Sequence, residues 1–153
     1  MAVIFYADES ESTGEVFRRT ETMTDFIRVG MRSEEIPSFL TVGVAGFKDS
    51  FEYGELRDYE GEIVGVVCGA FAKYVCRLAK EHLSAERSHM AALSSAHAAI
   101  EAMAASPATE IQALITDEVF ENFDCEPAVL ETITRDLKPN AAALYSHWKA
   151  GIL

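Results

Sequence analysis

Residues 63–81, IVGVVCGAFAKYVCRLAKE, constrain this 153-residue chain more than any other stretch. The run from Ile63 to Ala72 is ten residues long, and the pattern turns amphipathic only after Lys73. A helix that is apolar all round has to be enclosed, by lipid or by the rest of the protein. Ten apolar residues fall well short of the roughly 20 needed to cross a bilayer. The segment is therefore expected to be the central helix of a bundle. Gly65 and Gly69 are four apart and share a face, so a neighbouring helix can come close there. Arg77 and Lys80 fall in the last turns, where a cation suits the helix dipole.

The remaining sequence supplies the wrapping. Residues 2–6, AVIFY, suit a short strand or an extended arm, and 8–14, DESESTG, a polar loop. A helical stripe follows from Glu15 to about Met31, through Val16, Phe17, Met23, Phe26, Ile27 and Gly30. Threonines at 20 and 24 are poor helix formers, so Thr24 could instead cap a shorter helix. Pro37 suits a first helical turn, and that helix is expected to reach about Phe51. Residues 52–61, EYGELRDYEG, read as an acidic connection. Ser84 is expected to cap an alanine-rich helix to about Ala105, packing through Met90, Leu93, Ala96, Ile100 and Met103. Ser106-Pro107 ends it. Thr109 is read as the cap of a helix over 110–123, with Ile111, Leu114, Ile115, Val119 and Phe123 buried. Pro127 and Pro139 each start a helix, the last followed by Gly151. The expected fold is all-α: a single-domain bundle of about six helices over 15–153, preceded by an arm and loop over 1–14.

Little in the chain points to catalysis. It has no H-E-x-x-H, G-x-S-x-G, P-loop or G-x-G-x-x-G motif. Glu86 and His89 form one E-x-x-H, half of a di-iron site, but no second copy exists. Among the remaining histidines, His97 shares a face with His89 only loosely. No metal and no cofactor is expected. The three cysteines, Cys68, Cys76 and Cys125, are an odd number and contain no C-x-x-C. Cys68 and Cys76, eight apart on one helix face, suit core packing in a reducing compartment. The N-terminus MAVIFYADES has no basic n-region, so it does not read as a secretory signal, and a cytoplasmic location is expected.

Charge is the informative quantity. The chain carries 25 acidic and 13 basic residues, a net charge of −12. Such a surface repels nucleic acid and anionic membranes and attracts a basic protein. The excess is concentrated: 109–136 holds eight acidic residues and one basic, and 49–62 holds six and one. On a helix from Glu110, the residues Glu110, Asp117, Glu121 and Asp124 recur at seven, four and three, forming an acidic stripe opposite the buried face. Like charges at this spacing cost a helix a few tenths of a kcal/mol each. The connection offers a second candidate surface in Glu52, Tyr53, Glu55, Asp58, Tyr59 and Glu60, mixing carboxylates with tyrosines, a common interface anchor. The ordinary alternative for both is a solvated surface that serves solubility alone.

Several segments together resemble a known family. They are the acidic lead into Glu35-Ile36-Pro37-Ser38-Phe39, the tyrosine-bearing acidic stretch, and a buried helix ending in Leu78-Ala79. Val119-Phe120-Glu121-Asn122-Phe123 and Leu137-Lys138-Pro139-Asn140, before a terminal helix with Trp148, complete the set. Over roughly residues 24–150 the chain resembles an uncharacterised all-helical bacterial family, often encoded beside polymorphic toxins, including contact-dependent growth inhibition loci. The resemblance implies an immunity protein and hands over no functional residues. The expected function is binding, not catalysis: neutralising a toxin domain, most simply a nuclease with a cationic cleft. A nucleic-acid mimic that inhibits a DNA-binding protein is one alternative, and a small helical metal-binding enzyme using Glu86 and His89 is the other.

Overall fold

A computed structural model describes residues 31–58, 63–84 and 88–151, and these form seven α-helices with no strand among them. The apolar segment becomes α3, Val64–Leu83, preceded by α1, Ile36–Gly43, and α2, Phe51–Gly54. After it come α4, Met90–Ala104, α5, Thr109–Leu114, α6, Pro127–Arg135, and α7, Pro139–Lys149. The expected all-α class is correct. The arm at 2–6, the loop at 8–14 and most of the helix from Glu15, with its Thr24 cap, lie outside the described residues.

The central position expected for α3 is found. It packs against α1, α2, α4, α6 and the helical turns that follow α5. Val67, Cys68, Ala70, Phe71, Ala72, Tyr74, Val75, Leu78 and Ala79 are all buried along it. A side chain the size of Phe71, fully enclosed, is worth about 1.5–3 kcal/mol of transfer free energy. No described helix is long and apolar enough to cross a membrane.

Helices expected to begin at a proline do so. Pro37, Pro127 and Pro139 occupy the first turns of α1, α6 and α7, where a missing N–H costs no hydrogen bond. The last of these starts has a further support. Glu101 of α4 receives the backbone N–H groups of Asn140 (3.2 Å) and Ala141 (3.0 Å) and the Asn140 amide (2.7 Å). A carboxylate from one helix thus caps the positive end of another.

Three boundaries differ from expectation. The helix from Pro37 was expected to reach Phe51, but α1 stops at Gly43. Val44 turns extended, and Gly46 adopts φ +81°, a left-handed conformation that ends a helix. The Ser50 hydroxyl accepts the Tyr53 N–H (3.1 Å), so a new helix starts there. The acidic connection accordingly begins as α2 and a 3-10 turn, Glu55–Asp58, rather than as a loop.

The second difference is at Ser84. It closes α3, donating its N–H to the Lys80 carbonyl and its hydroxyl to that of Glu81 (3.1 Å). The next helix starts only at Met90, which is 65% exposed and so not part of the packing stripe. Ala96, Ile100 and Met103 are buried as expected. Likewise, Ala108 rather than Thr109 stands at the cap of α5, its N–H held by the Ser106 hydroxyl.

The third concerns winding. Only Thr109–Leu114 is α-helical; Ile115–Val119 is a π-helical turn and Phe120–Asn122 a 3-10 turn. The Phe120 N–H reaches back five residues to the Ile115 carbonyl. The wider turn brings Thr116 and Phe120 into the core, while Leu114 is only half-buried.

Two aromatic clusters flank the centre. Phe47 meets Tyr53, Phe71 and Tyr74 with ring centroids 5.3, 5.7 and 5.5 Å apart. Phe120 meets Phe123, Tyr145 and Trp148 at 6.1, 5.0 and 5.6 Å. Pairs at such distances add about 0.5–1.5 kcal/mol beyond their burial. Between α4 and α6, the buried His97 ring has Nδ1 3.0 Å from the Leu93 carbonyl and Nε2 3.0 Å from that of Ile133.

Two stability predictions follow. A Cβ at Gly46 would stand 2.5 Å from the Tyr74 hydroxyl, which itself donates to the Ala45 carbonyl at 2.7 Å. Gly46→Ala should cost about 2–3 kcal/mol in urea unfolding, and part should return in Gly46→Ala/Tyr74→Phe. Additive losses would show that the hydroxyl is not the obstacle. Glu101→Ala should cost about 1–2 kcal/mol through the lost cap, with amide exchange rising first at Asn140 and Ala141.

Candidate functional site

Carboxylates from two distant segments meet across the glycine face of α3. The 51–58 turn packs on one side of that helix and the π and 3-10 turns on the other. Between them runs a groove of about 490 Å³, whose lining includes Phe51, Glu55, Gly65, Lys73, Glu118 and Asn122. The two glycines allow the approach that their spacing implied. A Cβ at Gly65 would lie 3.1 Å from the Glu118 carboxyl carbon, and one at Gly69 3.5 Å from the Asn122 amide. That amide donates to the Glu118 carbonyl at 2.7 Å, which steadies the turn. Phe51 is 72% exposed and leaves an aromatic ring at the rim.

The candidate residues of the connection fare differently from one another. Glu52 is not a free surface acid. Its carboxylate takes both Arg77 Nε (2.7 Å) and Nη2 (3.2 Å), and its side chain is 11% exposed. A buried carboxylate needs such a partner, so this one serves the fold. Arg77 also lies over the Tyr74 ring, 5.4 Å from its centroid. Tyr53 is half-buried against Phe47 rather than presented as an anchor. Glu55 is exposed and lines the groove. The Asp58 side chain, Tyr59 and Glu60 lie outside what the structure describes.

On the other segment Glu110, Asp117, Glu121 and Asp124 are all exposed. Among the described residues none of the four enters an ion pair; Asp117 accepts only the neighbouring Thr116 hydroxyl (3.0 Å). The stripe drawn at 100° per residue does not carry over, because the segment crosses three helical pitches. Asp124 lies beyond the last turn, in a separate recess with Cys76, Arg77, Lys80, Cys125 and Glu126. Glu118, half-buried and off the expected stripe, is the carboxylate that enters the groove. Sequence reasoning missed it because the π turn leaves no periodicity signal. Gly65 and Gly69 marked the place where something would sit, without naming it.

Histidines and cysteines occupy structural places. His89 Nε2 is 2.6 Å from Glu81, which also pairs with Arg77 (3.3 Å). Glu86, its expected metal partner, lies outside the described residues. His82 has a buried Nδ1 without a hydrogen bond and lines a recess of about 230 Å³ with His97. No cluster of three or more His, Cys, Asp or Glu among the described residues is placed to hold a metal. Cys68 is fully buried as expected, and burial together with the Glu118 charge pushes its thiol up to about 12. Cys76 does not share that core role: it is half-buried, with its sulfur 3.2 Å from that of Cys125.

The Glu81 carboxyl is held below its ordinary value of 4.5, first by the His89 hydrogen bond and then by Arg77. A carboxyl depressed by folding adds stability above its unfolded value and loses it as pH falls through the folded value. Stability should therefore drop more steeply below about pH 4.5 in the wild type than in Glu81→Gln, as read from urea midpoints across pH 3–6. Parallel curves would mean that the Glu81 network does not couple to folding. Comparisons with family models, curated proteins and solved structures give no match to this chain.

Proposed function

We propose that this protein binds a basic protein partner and acts by occupying it, as an immunity protein occupies the cationic cleft of a toxin domain. The observation that carries the reading is the division of labour among its carboxylates. Glu52, Glu81 and Glu101 are engaged inside the fold. Glu55, Glu110, Asp117, Glu118, Glu121 and Asp124 carry no ion pair among the described residues. Two of these, Glu55 and Glu118, converge on a groove with the exposed ring of Phe51 at its edge. An arginine or lysine entering there would meet two carboxylates and an aromatic face, a combination suited to guanidinium recognition. The surrounding acids would speed encounter with a cationic surface and shape its salt dependence.

The resemblance to toxin-neutralising proteins supports the choice of partner. The pieces that carry it have structural work in this chain. Phe120 and Phe123 fill an aromatic cluster, and Pro139 and Asn140 begin α7. Such motifs speak for a shared architecture and leave the partner to the surface. A toxin domain with nuclease activity fits best, since its substrate cleft must be basic to hold phosphates.

The test is calorimetric titration against a catalytically disabled toxin domain encoded next to this gene. The wild-type chain should bind, with affinity falling as salt rises from about 50 to about 300 mM. Asp117→Lys/Glu121→Lys/Asp124→Lys should weaken binding at least about tenfold, or about 1.4 kcal/mol, and flatten the salt dependence. Glu55→Lys/Glu118→Lys separates the groove from that face. Unchanged affinity in both variants reduces the acids to a solvated surface. A neighbourhood without a toxin gene, together with capture of a DNA-binding protein, would replace toxin neutralisation by nucleic-acid mimicry.

A further inference from the structure

We infer that Cys76 and Cys125 form a reactive dithiol that a low-molecular-weight disulfide converts into an intramolecular disulfide bond, fastening α3 to the connection before α6. This goes beyond the binding reading and stands without it. The two sulfurs are 3.2 Å apart although the residues are 49 positions apart in sequence. That is little more than 1 Å beyond the covalent S–S length of about 2.05 Å. The gap is also too short for a metal bridge: a tetrahedral zinc with Zn–S near 2.3 Å holds its sulfurs about 3.8 Å apart. No third ligand is placed to join them among the described residues. The pair opens onto a surface recess lined by Arg77, Lys80, Asp124 and Glu126, so a small reagent can reach it. Both side chains are half-buried, unlike the enclosed Cys68.

The two thiols differ in setting. Cys76 lies within the central helix, its thiol pushed above the ordinary value chiefly by burial and then by the Cys125 hydrogen bond. Cys125 lies on a bend between the 3-10 turn and Pro127, where backbone can give by the small distance required. Cys125 is therefore the entry sulfur and Cys76 the resolving one. The Cys125 thiolate attacks one sulfur of the reagent disulfide, whose S–S bond breaks and releases a thiolate. The Cys76 thiolate then attacks the Cys125 sulfur of that mixed disulfide and releases the second thiolate. The protein gives up two protons and two electrons; the reagent disulfide is reduced to two thiols.

The experiment exposes the full chain to oxidised glutathione at about pH 8, then alkylates under denaturing conditions and maps the thiols by mass spectrometry. The expected product is a monomer lighter by two hydrogens, with Cys76 linked to Cys125 and only Cys68 alkylated. Its Tm should rise by about 5–10 °C and return on reduction, because a long loop is closed in the unfolded chain. Cys76→Ser should stop at a glutathione adduct on Cys125, and Cys68→Ser should still form the bond. A stable glutathione adduct on the wild type, a disulfide to Cys68, an intermolecular dimer or three free thiols would each overturn the proposal. The wild-type result needs no variant to fold.

Discussion

A single helix with no polar face has to be hidden, and the architecture of this protein is the way α3 is hidden. Its neighbours do not meet it alike. Bulky residues such as Phe71, Val75 and Leu78 hold some at the usual distance, while Gly65 and Gly69 let one segment settle almost onto the backbone. That segment brings Glu118 and Asn122 with it. The groove is therefore a by-product of how the apolar helix is covered. Its floor is backbone and small side chains, and its polar groups come from the covering elements.

Much of this was legible in the chain, for reasons that are local. Prolines 37, 127 and 139 announce helix starts because a residue without an N–H belongs in a first turn. The central helix was legible from the absence of any charge over Ile63–Ala72. What could not be read was settled by tertiary context. Ser84 has the chemistry of an N-cap, yet α3 claims it as its end. The apolar pattern around Gly46 suits a helix, but the pocket under Tyr74 favours a left-handed turn there. The π turn at Ile115–Val119 changes which residues share a face, so a stripe drawn from α periodicity picked Asp117 and Glu121 and passed over Glu118.

The candidate site divides along the same line. Composition shows a surplus of carboxylates, but which of them are spent inside depends on partners far away in sequence. Glu52 finds Arg77, 25 positions on, and Glu101 finds the start of α7, about 40 positions on. Cys76 and Cys125 belong to the same category of long-range pairing, invisible to spacing rules. Net charge alone therefore overstates the acid available to a partner. What matters is the remainder after the fold has taken its share, and that remainder lies on the 55 and 110–124 segments.

The π turn has a consequence for how this chain tolerates insertions and deletions. It holds the equivalent of one residue more than an α-helix would need over the same rise. Removing one position between Ile115 and Val119 would let the rod relax to uniform α winding while swinging everything after it by about 100°. Phe120 would then leave the rings of Tyr145 and Trp148, and the C-terminal helix would lose its seat. Related chains that keep this aromatic trio should keep the length of 115–119 fixed, and indels between them should gather in the joints instead.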